Sequence, residues 1–509
     1  MDDLTVPEKK SMVPFLRQLY ITTAVSVNIM GHGCVIGISA ILIPSLRRPE
    51  SSIHATHSEE SWIASIIGFA LIVGNLIITP TMDRLGRKRS HILSIFPILV
   101  GWFLLLLANS VPTLIAARFL QGLSMGILGP LGSVIIGEMT NPKNRGPLLT
   151  LISLSLTLGV LFTQTLGIFL SWKQTVIACS FITFTSLCMQ IYCPESPPWL
   201  CSQGRLDECR EVFLWLRGDG PEERDELEKM IQAKMMERKS SVAGQTISFG
   251  TKVRRTIRFF KETYKKPDFY KPIIIMLHIY TMFQFAGINV FSSYMIDIIR
   301  QVVGPEANAE YLMVVFNIER LISNLLAIFL MANMKRRSLL FSAGFLCVTS
   351  YIGKGLYVYA KQNDKLPFPD NQWVPIGLIG LYMFSLAVGI SSIPFTISGE
   401  LFPLAYRGLG GGISVLALSL NFFLAVKCFP VLTTEIGLPS TYFMYTGIVV
   451  YCLTVIWFML PETKDRTLQE IEESFRGKKA VEDPANEPLN DVNVQKYLAM
   501  RRCSSQIMY

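Results

Sequence analysis

The sequence predicts an all-α polytopic membrane protein with twelve transmembrane helices in two related six-helix bundles. Three observations predict this: apolar blocks of membrane-spanning length, positive charge concentrated on one side of those blocks, and motifs that recur in both halves of the chain. Half of the 509 residues are apolar and 17% are charged, with a mean hydropathy of +0.40. A soluble domain carries about a quarter charged residues. This composition, without any catalytic constellation, excludes a soluble enzyme.

The apolar residues gather into twelve blocks of about 20 residues, the length at which a helix crosses ~30 Å of hydrocarbon. Inside a bilayer no water satisfies backbone polar groups, so blocks of this length must be helical. The strands of a β-barrel would be shorter and would alternate in polarity. The predicted spans are 18–44, 62–80, 91–109, 113–137, 147–170, 174–193, 272–299, 311–331, 339–360, 373–399, 409–430 and 439–460.

The placement of positive charge predicts the orientation of these spans. Most of the 47 Lys and Arg residues lie on the side of the two termini. Because positive residues stay on the cytoplasmic side of a membrane, we expect both termini in the cytoplasm and the protein in the cell membrane. The net charge of +9 therefore indicates orientation, and no nucleic-acid partner is expected. The side opposite the termini carries only Arg47, Arg48, Lys173, Arg300, Lys361 and Lys365.

A long polar stretch, 194–271, separates six spans from six. Within it, Pro221 to Lys239 has the helical spacing of an amphipathic segment on the cytoplasmic face. The tail begins with a helical pattern, Leu468 to Phe475, and then becomes polar and disordered. Tyr497 to Met500 matches a tyrosine-based sorting signal, a pattern that is common by chance. The predicted parts are an N-terminal segment 1–17, a bundle 18–193, the linker 194–271, a bundle 272–460 and a tail 461–509.

Two motifs recur in the second half at nearly the same offset. Recurrence of two independent elements indicates a duplicated six-helix unit. Transporters use such symmetry to alternate access, rocking the halves around a site near the middle of the membrane. The pairs are Gly137-Glu138 before Arg145-Gly146 with Gly399-Glu400 before Arg407-Gly408, and Pro194-Glu195-Ser196 with Pro461-Glu462-Thr463.

A charged loop follows the second span. Its glycine allows a tight turn, while its charges can bind neighbouring helix ends. The motif predicts a charge network at the cytoplasmic end of the first bundle, which forms in the outward-open state and breaks for inward opening. The alternative is simple positive charge on the inner side. The predicted members are Asp83, Arg84, Gly86, Arg87, Arg118, Glu138, Arg145 and Glu195.

The second half carries a reduced copy of this network. The loop reads Ala332-Asn333-Met334-Lys335-Arg336-Arg337, without the acid and the glycine of the first copy. We expect a weaker second lock, formed by Arg336, Glu400, Arg407 and Glu462.

On these motifs the chain resembles the sugar porter family of the major facilitator superfamily, in particular the insect facilitated trehalose and glucose transporters. The resemblance implies two six-helix bundles around a central cavity, and sugar hydroxyls bonded by amides of span seven. We expect no cofactor, no metal site and function as a monomer. The motifs are Asp83 to Lys88, Arg118-Phe-Leu-Gln-Gly122, Glu138 to Gly146, Pro194 to Pro197, Gln284 to Asn289, Glu400 to Gly408 and Pro461 to Lys464.

The resemblance assigns solute binding to Gln284, Asn289 and Tyr294 in span seven. An amide suits a sugar because it donates and accepts hydrogen bonds at once. Gln284 and Asn289 are five residues apart and need not share a face of a helix, although Gly287 allows a bend there. The alternative is that these amides only hold helices together.

The sequence departs from the family pattern where the family binds sugar. Each departure replaces a hydrogen-bonding or stacking group, and losing several costs ~1 kcal/mol or more each. Ser153 stands for the glutamine of span five, Phe283 for the first glutamine of span seven, Arg320 for the asparagine of span eight, Phe395 for the tryptophan of span ten, and Leu418 and Ser419 for the asparagine and tryptophan of span eleven.

Glu319 and Arg320 lie in the middle of span eight. A charge there costs about 2.5–3.5 kcal/mol, so it faces protein or water. One hypothesis places Arg320 against an anionic substrate; the alternative is a structural ion pair, with Lys354 as the cationic neighbour of Glu319. Span one has no acid, where proton-driven relatives carry an Asp, and no P-loop is present. Facilitated diffusion is expected, with Glu319 the only central acid that could carry protons.

The predicted function is facilitated diffusion of a small polar solute, trehalose or a hexose, across a lipid bilayer by alternating access. Two alternatives remain. Arg320 motivates transport of an organic anion or another polar solute. The reduced second loop and the altered binding positions motivate a sensor that has kept the fold without transport, although its cytoplasmic tail is short.

Overall fold

A computed structural model describes residues 12–242, 264–367, 369, 371–403, 407–464, 466 and 468–476. Within that part, twelve helices are long and apolar enough to cross a membrane, and no strand occurs. These helices confirm the twelve predicted blocks, with ends that differ by a few residues. The segment Tyr497 to Met500 and the tail predicted to be disordered lie outside the described residues, as do the first eleven residues.

The spans are numbered 1 to 12 in chain order. The first half contains Val13–Gly37 continued by Ser39–Leu46, His57–Leu85, Arg87–Leu106, Val111–Met139, Pro142–Phe169 and Trp172–Ile191. The second half contains Pro267–Phe285 continued by Ile288–Val302, Ala309–Asn333, Arg336–Gln362, Trp373–Ser385 continued by Leu386–Ile390 and Ile393–Leu401, Arg407–Glu435 and Leu438–Met459.

Small residues let the spans of the first bundle approach closely. A Cβ on Gly33 of span 1 would lie 2.9 Å from the Cα of Gly159 in span 5. Likewise, a Cβ on Gly74 of span 2 would lie 2.8 Å from the Cα of Gly126 in span 4. In lipid, helices associate by this kind of close packing because the hydrophobic effect gives no preference between helix and lipid contacts. These glycines therefore allow span 1 to pack closely on span 5 and span 2 on span 4.

The two halves meet along three pairs of spans: 2 with 11, 5 with 8, and 1 with 7. Polar side chains cross this boundary in the membrane. Asn324 donates to Thr157 Oγ1 at 2.9 Å, and Asn75 donates to Ser419 Oγ at 3.0 Å. Each such bond between helices contributes only about 0.6 kcal/mol on average. The polar bonds that cross the boundary inside the membrane are thus individually weak.

An even number of spans places the beginning and the end of the helical region on one face, here named the terminal face; the opposite one is the far face. Short helices on the terminal face follow spans 6 and 12, and they confirm the helices predicted for the linker and the tail. Gln18 of span 1 donates to the carbonyl of Leu216 at 2.9 Å and so ties the linker to the first bundle. The short helices are Pro197–Gln203, Leu206–Arg217, Pro221–Val242 and Leu468–Arg476.

Candidate solute-binding site and charged gates

Span 7 breaks near its middle, between Ala286 and Gly287. Gly287 has φ 86°, a left-handed conformation that glycine adopts without strain. At this turn Asn289 Nδ2 donates to Gln284 Oε1 at 2.8 Å. The two amides, which an unbroken helix would separate by 140°, therefore lie together. The sequence identified both residues and the glycine, and the structure shows how they meet.

Two tyrosines from other spans support the break. Tyr351 of span 9 and Tyr382 of span 10 both donate to the carbonyl of Ala286, at 2.9 and 2.7 Å. A break in a helix leaves backbone groups without their helical partners, and unpaired groups are costly in a membrane. These phenols satisfy the carbonyl at the break. Neither tyrosine belongs to the motifs from which the site was predicted.

A polar chain crosses from the first half to span 7 just beyond the amide pair. Gln164 of span 5 donates to the carbonyl of Ser292 at 3.1 Å and accepts from Asn317 of span 8 at 2.6 Å. Both amide side chains are buried. Sequence analysis missed Gln164 and Asn317, although a buried amide in a transmembrane helix is itself a signal of an interhelical contact.

Arg320 joins this chain from span 8. Its side chain is 8% exposed, and Nη1 donates to Ser292 Oγ at 3.1 Å. It forms no ion pair with any residue that the structure describes. A guanidinium has five N–H donors, so most of those of Arg320 lack a protein partner in the described chain. Arg320 therefore lies next to Gln164 of the first half, since both side chains bond Ser292.

Glu319 points elsewhere, toward span 10. A Cβ on Gly380 would lie 3.6 Å from Glu319 Oε2. The alternative in which Lys354 is its ionic partner is wrong, because no ion pair joins the two in the described chain and the Lys354 ammonium lies among three tyrosine rings. Residues 319 and 320 point about 100° apart on a helix, which explains why their surroundings differ.

The other predicted binding residues are spread along the boundary. Phe395 of span 10 is exposed and packs edge-on against Phe283 with ring centroids 5.8 Å apart. Tyr294 is buried and stacks on Phe429 at 5.8 Å, on the far-face side of the amide pair. Ser153 lies one helical turn before Thr157, the residue of span 5 that accepts a hydrogen bond from span 8. The hydroxyl of Ser153 donates to the carbonyl of Thr150 in its own helix. The structure therefore brings Gln284 and Asn289 into contact, whereas the contacts described for Ser153, Tyr294 and Phe395 are with other residues.

On the terminal face, the predicted charges of the first half assemble into one cluster, the first charge cluster, formed by Arg87, Glu138, Glu195 and Ser196. Arg87 donates to both oxygens of Glu138 at 2.8 and 2.9 Å, and Ser196 donates to the same carboxylate. Glu195 accepts from the backbone N–H of Arg87 at 2.7 Å and so caps the start of span 3. Paired, bidentate geometry of this kind is the strong form of an ion pair.

Gly86 makes room for this cap. It has φ 89°, and a Cβ on it would lie 2.3 Å from Glu195 Oε2. The predicted tight turn is thus required for two reasons, backbone conformation and the close approach of a carboxylate.

Of the other predicted members, Asp83 joins the first charge cluster through a long ion pair with Arg87, whereas Arg84 and Arg145 form no bond within it. Asp83 lies 3.9 Å from Arg87, and Arg84 is exposed without a bond to any described residue. Arg145 does not pair with Glu138; its Nε has no partner among the described atoms. The pKa of Arg217 in the linker is lowered mainly by burial, and the positive charge of Arg145 lowers it further.

The placement of Arg118 in the cytoplasmic network is wrong. Span 4 begins on the far face at Val111, so Arg118 lies only two turns below that face. The side chain is fully buried and donates to the carbonyl of Val35 at 2.7 Å and to Ser39 Oγ at 2.6 Å. It therefore braces spans 1 and 4 far from the first charge cluster.

The second half repeats the arrangement as a second charge cluster, formed by Arg336, Glu400, Glu462 and Thr463. Arg336 reaches Glu400 at 3.4 Å, Thr463 donates to Glu400 at 2.6 Å, and Glu462 accepts from the backbone of Arg336 at 3.0 Å. No glycine is needed, because Lys335 precedes span 9 with φ −65°. The side chain of Arg407 lies outside the described atoms.

A third cluster, the far-face triad, consists of Arg47, Glu60 and Asp297. Arg47 donates to both oxygens of Glu60 in its own half at 2.8 and 2.6 Å. It also donates to both oxygens of Asp297 in the second half, each at 3.0 Å. The hydrogen bonds to Glu60, with the charge of Asp297, raise the pKa of Arg47 above its usual range, so it stays charged. Sequence analysis noted Arg47 only as a far-side charge.

Further contacts close the far face beside the triad. Ser61 donates to the carbonyl of Lys427 at 3.0 Å, and the Lys427 ammonium lies 4.1 Å from the ring centre of Trp62. On the terminal face, by contrast, no ion pair joins the two halves within the described chain. Among the described residues, the two halves are therefore joined by an ion pair on the far face only.

Comparison with known proteins places the chain among transporters. Residues 26–475 match the family model described as "Sugar (and other) transporter". The facilitated trehalose transporter Tret1 of Apis mellifera ligustica is 25% identical over 471 residues, covering 92% of this chain and 90% of that protein. Tret1 of Bombyx mori is 26% identical over 477 residues, covering 93% and 90%.

Solved structures show the same fold. The inward open conformation of the xylose transporter XylE from E. coli aligns with a TM-score of 0.70 at 18% identity, covering 90% of this chain and 99% of that one. A crystal structure of a D-xylose-proton symporter aligns with a TM-score of 0.65 at 18% identity, covering 88% and 99%. The likeness confirms the predicted arrangement of twelve helices in two bundles.

Proposed function

This chain belongs to the sugar (and other) transporter family and is therefore a transporter, and from that premise we propose that it carries a neutral sugar, trehalose or a hexose, by facilitated diffusion. The amide pair Gln284–Asn289 at the break of span 7 supports this most directly. One hydrogen bond joins the two amides, and their remaining donors and acceptors are available to the hydroxyls of a sugar. The two curated relatives described above are named for trehalose, which is consistent with such a solute.

The proposal is tested by uptake into proteoliposomes from a panel of trehalose, glucose and other hexoses. We expect saturable uptake of at least one sugar, and Asn289→Ala should raise KM about fivefold to tenfold because a hydrogen bond is worth about 1 kcal/mol. Asn363→Ala serves as control, since that amide is exposed and bonds only its own helix, at Tyr359. Binding without uptake would support the sensor, and uptake indifferent to Asn289→Ala would remove span 7 as the site.

We propose that transport needs no proton gradient. Span 1 contains no acid, and buried Arg118 is bonded to neutral groups of span 1 instead. Glu319, the central acid, faces span 10 and not the amide pair. Uptake should be the same with and without a pH gradient, in the parent and in Glu319→Gln. A gradient-driven uptake that Glu319→Gln abolishes would contradict facilitated diffusion.

A second candidate, transport of an organic anion, is favoured by Arg320. Its guanidinium is buried against Ser292 of span 7 and has no carboxylate partner in the described chain, which is costly unless a substrate supplies the negative charge. The panel therefore includes hexuronates and small organic acids. Uptake of an acid that Arg320→Asn abolishes, with no sugar uptake, would replace the sugar by an anion.

The positions of the ion pairs on the two faces support alternating access. We propose that the far-face triad is the gate that must open to admit solute from the far face. Arg47 connects the halves there, whereas both terminal-face clusters lie within one half. The halves can therefore separate on the terminal face without breaking an ion pair of the described chain.

We further propose that the protein works as a monomer in the cell membrane, with the terminal face in the cytoplasm. The excess of Lys and Arg on that side supports this orientation. An epitope placed in the far-face loop 303–308 should be accessible on intact cells, and one at the C-terminus only after permeabilisation. The reverse pattern would overturn the orientation, and a stable dimer after gentle extraction would overturn the monomer.

A further inference from the structure

A lysine is buried beside the break of span 7. Lys354 of span 9 is 1% exposed. Its ammonium lies 3.3 Å from the ring centre of Tyr382, 4.5 Å from that of Tyr351 and 4.9 Å from that of Tyr442. No hydrogen bond or ion pair joins it to any described residue. A charge in a membrane costs about 2.5–3.5 kcal/mol, so these rings must provide its compensation.

The three rings form a cage around the cation. A cation over the face of a tyrosine is attracted by about 2 kcal/mol or more when water is excluded. The cage draws on spans 9, 10 and 12, since Tyr442 belongs to span 12. Lys354 therefore holds three spans of the second bundle at fixed distances from one another.

Two rings of the cage belong to the same tyrosines that bond the backbone carbonyl at the break of span 7. Tyr351 and Tyr382 donate to the carbonyl of Ala286 at 2.9 and 2.7 Å, while their faces contact Lys354. A positive charge over a phenol withdraws electron density from the ring and makes its O–H a stronger donor, as charge assistance does for other hydrogen bonds. The charge of Lys354 therefore strengthens the bonds that hold the break.

The break fits closely against these phenols. A Cβ on Gly287 would lie 2.3 Å from Tyr351 Oη and 2.7 Å from Tyr382 Oη. Movement of one hydroxyl would remove one of the two bonds to the Ala286 carbonyl and so loosen the turn that brings Asn289 to Gln284. The geometry of the amide pair is thus coupled to the cage through a single backbone carbonyl.

We propose that Lys354 is a positioning residue for solute binding: through the tyrosine cage and the Ala286 carbonyl it fixes the break of span 7 that presents Gln284 and Asn289. The inference rests on the proposed function, in which this amide pair binds the solute. Lys354 itself does not touch the solute, because three rings enclose its charge.

The first test compares Lys354→Met, which keeps the length and removes the charge, with Lys354→Arg, which keeps the charge. Lys354→Met should raise KM for the transported solute about fivefold with little change in the maximal rate, and Lys354→Arg should stay near the parent. Lys361→Met is the matched control: this lysine lies on the same span, 5.8 Å from the ring centre of Tyr357, away from the break. An unchanged KM in Lys354→Met, or an equal rise in Lys361→Met, would overturn the proposal.

A double substitution tests the route through the tyrosine. Tyr382→Phe removes one donor to the Ala286 carbonyl and should raise KM by itself. If the cation acts through that donor, adding Lys354→Met to Tyr382→Phe should raise KM by less than the product of the two single effects. Independent, multiplying effects would show that Lys354 does not act through Tyr382.

Hydrogen exchange separates this proposal from the proposed function. In detergent and without solute, Lys354→Met should speed exchange of the amides in 284–291, and leave those of span 8 unchanged. If the parent transports no sugar, the proposed function fails while this readout still tests the coupling of Lys354 to the break. Exchange that is unchanged in 284–291, or raised equally in both spans, would overturn the coupling.

Discussion

The terminal face and the far face carry the same kind of charged residues but connect different parts of the molecule. On the terminal face, Arg87 and Glu138 belong to one half, as do Arg336 and Glu400 to the other. On the far face, Arg47 holds a carboxylate of each half. Identical chemistry thus stiffens each bundle at one end and joins the two bundles at the other.

This difference teaches that an ion pair in a transporter is a lock only if it crosses the boundary between moving bodies. The sequence motifs of the terminal face suggested a lock of the outward-open state. Their geometry instead caps the starts of spans 3 and 9 through Glu195 and Glu462. The residue whose removal should most change the balance between inward and outward states is Arg47, outside every family motif noted above.

The largest expected effect is that of Arg47→Gln. It leaves Glu60, whose side chain is 4% exposed, without its bidentate partner and cuts the only ion pair between the halves in the described chain. An unpaired buried group costs about 1–3 kcal/mol, so the open far face should become about tenfold more populated. The measurement is the rate at which an impermeant thiol reagent labels Ser61→Cys, a buried far-face position, in a chain without its native cysteines.

Arg48→Gln is the control for this experiment, since Arg48 is exposed and lines the same region without an ion pair to a described residue. Equal labelling in Arg47→Gln and the parent would show that the far-face triad is not the gate.

A smaller effect of a different kind is expected from Arg87→Gln. Losing two bonds to Glu138 should lower the melting temperature of the protein, because a charged pair within one half supports that half alone. Labelling of Ser61→Cys should not change. If Arg87→Gln accelerated labelling as Arg47→Gln does, ion pairs within one half could not be distinguished in function from the ion pair between the halves.

Gly86→Ala should destabilise the first charge cluster without touching a charge. The positive φ of Gly86 and the 2.3 Å approach of its Cβ position to Glu195 oppose any side chain, at a cost of about 1–2 kcal/mol. Lys335→Ala at the equivalent place in the second half should be neutral, because its φ is −65°. Equal melting temperatures for the two variants would contradict this account of the two turns.

The smallest effect is expected from Arg336→Gln. Its contact with Glu400, 3.4 Å long, is a single bond, whereas Arg87 makes two shorter ones. The decrease in melting temperature should therefore be smaller than for Arg87→Gln. Labelling of Ser61→Cys should again not change. A loss that equals or exceeds that of Arg87→Gln would show that the second cluster is not the weaker copy.

Much of the fold could be predicted from the sequence because a membrane forces backbone groups to be satisfied within helices. Each apolar block became a span, and Gly287 marked a break that the structure contains. The position of Arg118 could also have been predicted, since the direction of span 4 follows from counting spans. The reduced loop before span 9 predicted a weaker second lock, but the sequence did not show that a turn with negative φ replaces the lost glycine.

The partners of isolated charges could not be predicted. Lys354 lies among tyrosines of three spans, and Arg47 meets Asp297 from the other half; both contacts depend on which faces of distant helices meet. Periodicity shows that a helix has a buried face but not which helix covers it. The cage and the far-face triad therefore required the structure.

The most direct test of the account measures distances across both faces at once. Spin labels at Ser52 and Glu306 report the far-face loops of the two halves, and labels at Arg84 and Lys335 report the terminal face. Arg47→Gln should add a longer distance for the far-face pair and a shorter one for the terminal-face pair, while Arg87→Gln should change neither. Distances that respond to Arg87→Gln but not to Arg47→Gln would contradict the claim that the gate lies on the far face.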